Sequence, residues 1–181
     1  MTDETRAATL AGGCFWCIEA AFEELTGVRD TTSGYTGGNV EDPTYREVCS
    51  GSTGHAEAVL VEYDPDELAY EDLLQVFFTI HDPTQLNRQG PDVGTQYRSA
   101  IFSHDEEQHR TAERFVGELE AEGAYDDGIV TEIAPLEEFY EAEEKHQNYY
   151  DKNPDDRYCQ FHAEPKVKKV REKFESETRT A

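Results

Sequence analysis

Between residues 9 and 25 the sequence changes its period abruptly, and that change dictates how the chain folds there. Thr9 to Ala11 reads as the end of a short strand, Gly12-Gly13 as a tight turn, and Cys14 as the opening of a helix. Phe15, Ile18, Phe22 and Leu25 then recur at spacings of three and four, one apolar helical face that Gly27 stops. A thiol at a helix N-terminus meets unpaired backbone N–H groups and the positive end of the helix dipole, which favour its nucleophilic, ionised form. The expectation is an ionised Cys14 placed to react. Cys17 lies one turn further in, within reach as a redox partner.

The alternation continues. Val28 to Tyr35 reads as a strand, Thr36 to Asn39 as a loop, Thr44 to Val48 as a short helix and Ser50 to Gly54 as a turn. His55 to Tyr63 is a strand closed by Asp64-Pro65, and Tyr70 to His81 an amphipathic helix carrying Leu73, Leu74, Phe77 and Phe78. From Asp82 to Gly94 the chain is broken by Pro83, Gly90, Pro91 and Gly94, and a loop that long in a compact domain is usually functional or disordered. Tyr97 to Ser103 is expected to be a strand, Asp105 to about Glu122 a charged helix, and Ile129 to Ala134 the last strand. Glu138 to Tyr150 reads as helical and Asp151 to Glu164 as irregular. Pro165 starts a final helix with Val167, Val170 and Phe174 on its buried face. Helices and strands alternating without an internal repeat point to a layered α/β or α+β domain, and no linker divides it.

Charge narrows the partners. Forty acidic against sixteen basic residues give a net charge of −24, spread along the chain, which excludes nucleic acid. Such a surface repels itself, a cost that salt screens, and reads as adaptation to a salty cytoplasm. Met1 to Ala8 lacks the apolar core of a signal peptide, and no stretch approaches the ~20 apolar residues of a membrane span. Four cysteines in a chain of this kind suggest an intracellular, cytoplasmic protein whose thiols do chemistry. The run Lys166, Lys168, Lys169, Arg171 and Lys173 reads as a solvated helix face docking on acidic neighbours.

Cys14 and Cys17 alone are ambiguous, because a C-x-x-C pair also marks thioredoxin-like oxidoreductases and half of many zinc sites. Further stretches narrow the choice: Gly12-Gly13-Cys14-Phe15-Trp16, Gly34-Tyr35-Thr36-Gly37-Gly38, Gly54-His55-Ala56-Glu57, Gly94-Thr95-Gln96-Tyr97-Arg98-Ser99, His146-Gln147-Asn148-Tyr149, and Tyr158-Cys159. In this order, from Ala11 to about Phe174, the chain closely resembles the A-type peptide methionine sulfoxide reductases, which act on the S epimer of the sulfoxide. The resemblance implies that Cys14 is the nucleophile, Glu57 the proton donor, and Tyr35 and Tyr97 hydrogen-bond donors to the sulfoxide oxygen, with Asp92 nearby. Phe15 and Trp16 would wall the substrate methyl group. Oxygen transfer would leave Cys14 as a sulfenic acid that a second thiol converts to a disulfide. Cys159 aligns with the family's usual resolving cysteine. Two departures leave that role shared: Cys17 stands where most members have Gly, and Pro165 to Phe174 replaces a glycine-rich tail. Cys159 is favoured, with Cys17 as substitute or relay.

Glu57 has a case of its own. In a strand of period two it shares a face with Val59, Val61 and Tyr63, where a carboxylate is poorly solvated and its proton better held. An edge-strand Glu facing water is the alternative, and the resemblance favours the donor. Cys49 and His146 read as structural, and the six histidines show no ligand spacing, so no metal or cofactor is expected. The expected fold is α+β: a single-domain two-layer sandwich over residues 1–181, core about 7–175, with a mixed sheet, a ferredoxin-like core and a long irregular C-terminal segment. The expected partners are methionine sulfoxide, free or in proteins, and thioredoxin or a similar dithiol, acting on a monomer. Two rivals stay open: a thioredoxin-like oxidoreductase using Cys14 and Cys17, and a zinc module with Cys14, Cys17, Cys49 and Cys159 as ligands.

Overall fold

In β1 (Arg6–Gly12) and β3 (Ala56–Tyr63) the large apolar side chains alternate with alanines, and that alternation sorts the sheet into two faces. A computed structural model describes residues 5–174. β1 pairs antiparallel with β3 and with β6 (Ser99–Ser103), while β3 pairs antiparallel with β2 (Val28–Thr36). β7 (Glu132–Pro135) runs parallel to β6, and β8 (Phe139–Glu141) antiparallel to β2, giving a six-stranded mixed sheet in the order β7-β6-β1-β3-β2-β8.

On one face Leu10, Val59, Val61 and Ile101 meet the apolar stripes of α1 (Phe15–Glu23) and α3 (Tyr70–Ile80), including Ile18, Phe22, Leu73, Leu74 and Phe77. Each such side chain contributes about 1.5–3 kcal/mol when fully buried. On the other face lie Ala11, Ala56, Ala58, Ala100 and Phe102, under Leu136 and Phe139. α4 (Glu106–Ala121) starts at the Asp105 side chain, which accepts the Gln108 amide. The short α2 (Tyr45–Cys49) closes a capping box between Thr44 and Glu47. No helix of the described residues is long and apolar enough to cross a membrane.

The last third departs from the sequence-based expectation. Ile129 to Ala134 is not the last strand: β7 begins at Glu132, and β8 follows where Glu138 to Tyr150 was expected to be helical. That stretch instead holds β8, a 3-10 turn at Glu144–His146 and the short α5 (Tyr149–Lys152). Pairing with β2 overrides the helical bias of a glutamate-rich segment. Gly34 makes the approach possible, because a Cβ there would stand 2.5 Å from both the Phe139 ring and the Tyr140 carbonyl. The Gln147 side chain extends the pairing, its Oε1 accepting the Ser33 amide at 2.8 Å and its Nε2 donating to the Ser33 carbonyl at 2.9 Å.

The expected irregular segment is helical too. α6 (Arg157–His162) is capped by the Asp156 side chain, and α7 (Glu164–Lys173) buries Val167 and Val170 with Phe174 half-buried at its end. The 82–94 loop carries a two-residue hairpin, β4 (Arg88–Gln89) with β5 (Asp92–Val93). Tyr97 falls in a 3-10 turn at Thr95–Tyr97, just before β6.

Candidate active site

Gly13 turns the chain out of β1 with a φ of +101°, a conformation that glycine adopts without strain. Cys14 is therefore the N-cap of α1 and Phe15 its first helical residue. The Phe15 amide, one of the N–H groups left unpaired at a helix start, donates to Glu57 Oε1 at 3.1 Å. Glu57 comes from β3 and is 1% exposed, and its second oxygen, Oε2, has no partner among the described residues. Burial pushes its carboxyl up to about 8 against the lowering influence of the Phe15 bond. The face shared with Val59, Val61 and Tyr63 is buried as the period-two reading expects.

Three tyrosines feel the Glu57 charge. Tyr35, in the strand neighbouring Glu57, donates its hydroxyl to Glu143 Oε1 at 2.9 Å, and Glu143 Oε2 accepts the Tyr45 amide at 3.0 Å. Tyr45 and Tyr97 are half-buried, and burial first and Glu57 second raise both phenols, so both stay neutral donors. Cys49, read as structural, lies within electrostatic reach of Glu57. Its thiol, raised first by burial, takes hydrogen bonds from Tyr45 and Tyr97 and senses Glu57. Tyr45, Glu143 and Tyr158 were missed by sequence reasoning. Tyr158 stood only as the neighbour of Cys159.

Phe15 and Trp16 part company. Phe15 is fully buried in the main core, 5.7 Å from the Tyr35 ring, whereas Trp16 is half-buried and stacks on Tyr149 at 3.7 Å and 8°. The Trp16 indole N–H donates to His146 Nδ1 at 3.1 Å. His146 is buried with Nε2 unpartnered among the described residues, so it is not the fully satisfied structural histidine expected.

Cys14, Cys17 and Cys159 fall in one apolar cluster with Ala20, Ala163 and Val167. The expectation of an ionised Cys14 is corrected: the residue is 8% exposed, and burial, then its hydrogen bond to Cys17, then the charge of Glu57 push its thiol well above the usual range. The backbone at the helix start opposes them and is outweighed. Cys17 moves the other way, lowered first by the hydrogen bond from Cys14 and further by Lys166 and Tyr158, against burial and Asp92. Cys159 is fully buried, and burial pushes its thiol up to about 12. A cavity of about 60 Å³ adjoins Cys14 and Cys17, lined also by Asp92, Tyr158, His162 and Lys166. The Tyr158 hydroxyl donates to Asp92 Oδ2 across it. Lys166, expected on a solvated face, instead donates to the Ile80 carbonyl at 2.7 Å. Its neighbours fit the expectation, Lys168 pairing with Glu164 and Arg171 with Glu24.

This arrangement brings a sulfur, a carboxyl group raised to about 8 and three phenols within electrostatic reach of one another, with two further thiols in the cluster of Cys14. Comparison with known proteins agrees. The chain is 68% identical over 170 residues to the peptide methionine sulfoxide reductase MsrA of Natronomonas pharaonis, covering 94% of this chain and 96% of that one. Mxr1 of Saccharomyces cerevisiae in its reduced form superposes with a TM-score of 0.82 at 36% identity, covering 90% of this chain and 93% of that one. The same Mxr1 in complex with Trx2 matches with a TM-score of 0.57 at 26% identity, over 82% and 87% of the two chains. With the peptide methionine sulfoxide reductase family matched over residues 6–178, nearly the whole length, this chain belongs to that family.

Proposed function

We propose that the protein reduces the S epimer of methionine sulfoxide, free or in proteins, to methionine, with Cys14 as nucleophile and Glu57 as proton donor. The observation that carries this reading is the state of Glu57: buried, protonated near neutral pH, one oxygen held by the Phe15 amide and the other unpartnered. A carboxylic acid so placed gives its proton to the sulfoxide oxygen as the Cys14 sulfur attacks. The S–O bond of the sulfoxide breaks and its protonated oxygen becomes bonded to the Cys14 sulfur, so that methionine leaves and Cys14 becomes a sulfenic acid while its thiol proton restores the Glu57 carboxyl. The sulfoxide sulfur gains the two electrons that Cys14 loses. Tyr35 and Tyr97 steady the oxygen as neutral donors, Asp92 orients Tyr158 beside the thiols, and Trp16 walls the methyl group, with Phe15 supporting it from the core.

A second thiol of the same cluster, Cys159 or Cys17, then closes a disulfide, which thioredoxin or a similar dithiol reduces. The complex of Mxr1 with Trx2 supports this partner. Every residue invoked comes from one chain, in keeping with a monomer. The strand order β6-β1-β3-β2, with α1 and α3 as crossovers, supports reading the centre as a ferredoxin-like core within one two-layer domain. The acidic surface suits a salty cytoplasm. Turnover of the separated S and R epimers with dithiothreitol tests the function. The S epimer alone should be consumed and Cys14→Ser should be inactive, whereas activity on the R epimer only would overturn the reading.

A further inference from the structure

Lys166 stands apart from the lysine-rich run it belongs to. Its amine reaches the Ile80 carbonyl at the C-terminal end of α3, and its side chain lines the cavity beside Cys14 and Cys17. Capping α3 explains the first contact but not the second, because a cation beside two buried thiols acts on whichever of them carries charge. The groups facing Cys17 come from five elements: Cys14 from its own helix, Glu57 from β3, Asp92 from β5, Tyr158, Cys159 and His162 from α6, and Lys166 from α7, with Lys169 next to it. Cys14 gives Cys17 a hydrogen bond and Lys166 provides the positive charge, against the carboxyl groups of Asp92 and Glu57.

We propose that Lys166, anchored on the Ile80 carbonyl, is a positioning residue that sets its cation beside the Cys17 sulfur in the shared cavity and so makes Cys17 the first thiol to condense with Cys14 after oxygen transfer. The proposal rests on the reading of Cys14 as the nucleophile. In the step, the Cys17 thiolate forms an S–S bond to the Cys14 sulfenic sulfur, the S–O bond breaks, and the departing hydroxide takes a proton from solvent to leave as water. Each sulfur of the disulfide ends at the same oxidation level, the Cys14 sulfur reduced and the Cys17 sulfur oxidised. Cys159, fully buried and held neutral, enters afterwards by exchange.

Single-turnover experiments on the full chain, reduced and freed of reductant, test this. Methionine release reports the chemistry at Cys14, dimedone trapping reports the lifetime of its sulfenic acid, and peptide mass mapping locates the first disulfide. Lys166→Met should release methionine within about twofold of the unaltered rate yet form the Cys14–Cys17 disulfide roughly tenfold more slowly at neutral pH, with more dimedone on Cys14. Lys166→Arg should keep the fast condensation. A jump to about pH 9.5 after the sulfenic acid has formed at neutral pH should restore condensation in Lys166→Met, as a damaged fold would not. In the unaltered protein the condensation rate should rise with a midpoint below the ordinary thiol value of 9.0. A first disulfide involving Cys159, a midpoint at or above 9.0, or normal condensation in Lys166→Met overturns the proposal. Absence of methionine release from the unaltered protein, or dimedone never found on Cys14, instead overturns the parent reading.

Discussion

Tyr35 and Glu143 are joined through a 2.9 Å hydrogen bond in which the tyrosine is the donor, so the phenol proton is committed before any substrate arrives. A sulfoxide oxygen has to compete with a carboxylate for it. Tyr35→Phe should therefore lower kcat/KM by about tenfold, the scale of one hydrogen bond in the transition state. Glu143→Gln, whose amide oxygen still accepts, should cost less. Steady-state kinetics on both variants check this, and an unaltered kcat/KM in Tyr35→Phe would reduce Tyr35 to a tether for the β8 segment.

On the proposed mechanism, Glu57 sets a pH limit on turnover. Its carboxyl is raised to about 8, so the proton it donates is present below that pH and lost as pH rises through it. kcat/KM should fall above pH 8, and Glu57→Gln should lose about 10²–10⁴-fold of activity together with that descending limb. Stability follows the same sign. The unfolded carboxyl ionises near 4.5 while the folded one keeps its proton, so the fold weakens as pH rises from about 4.5 to about 8. Thermal melts above pH 8 should find Glu57→Gln more stable than the unaltered protein.

Trp16 ties the helix that Cys14 caps to the C-terminal third through His146 and Tyr149. Trp16→Ala should destabilise by about 3–5 kcal/mol in urea unfolding. Trp16→Phe keeps an aromatic face for Tyr149 but leaves the buried His146 Nδ1 without its donor, at about 1–3 kcal/mol.

Gly34 admits β8 to the sheet. Alanine there would place a methyl group 2.5 Å from the Phe139 ring and the Tyr140 carbonyl. Gly34→Ala should cost at least ~1–3 kcal/mol and, by displacing Glu143 and Gln147, lower activity in the folded fraction. Limited proteolysis should cut it first between residues 136 and 150.

A net charge of −24 makes stability depend on salt. Screening shortens from about 10 Å at 0.1 M to about 3 Å at 1 M, so the midpoint of thermal unfolding should rise by at least ~5 °C between these concentrations. A midpoint that is flat or falls would count against salt adaptation.

The elements that position Cys14 and Glu57 were legible because their apolar residues keep a clean period: Phe15, Ile18 and Phe22 along α1, and Val59, Val61 and Tyr63 along β3. β8, α5 and α6 were not, since each is only three to six residues long and owes its form to distant partners such as Gly34, Ser33 and Trp16. Glu143 sits within an acidic run that offers no mark to single it out. The charge state of Cys14 was misjudged because a helix N-terminus is visible in a sequence, whereas the desolvation that outweighs it is not. Lys166 was hidden likewise, as periodicity along α7 does not say which lysine turns inward.

The walled-in residue at position 14, its thiol pushed toward the neutral form, has a consequence for how the resting site meets oxidants. Peroxide attacks thiolates, so a cysteine that stays protonated and nearly out of water's reach presents a poor target while the site stands idle. At position 14 reactivity then arrives with the damaged methionine itself, and the neighbouring Cys17 is left as the sulfur more open to oxidants in the resting site.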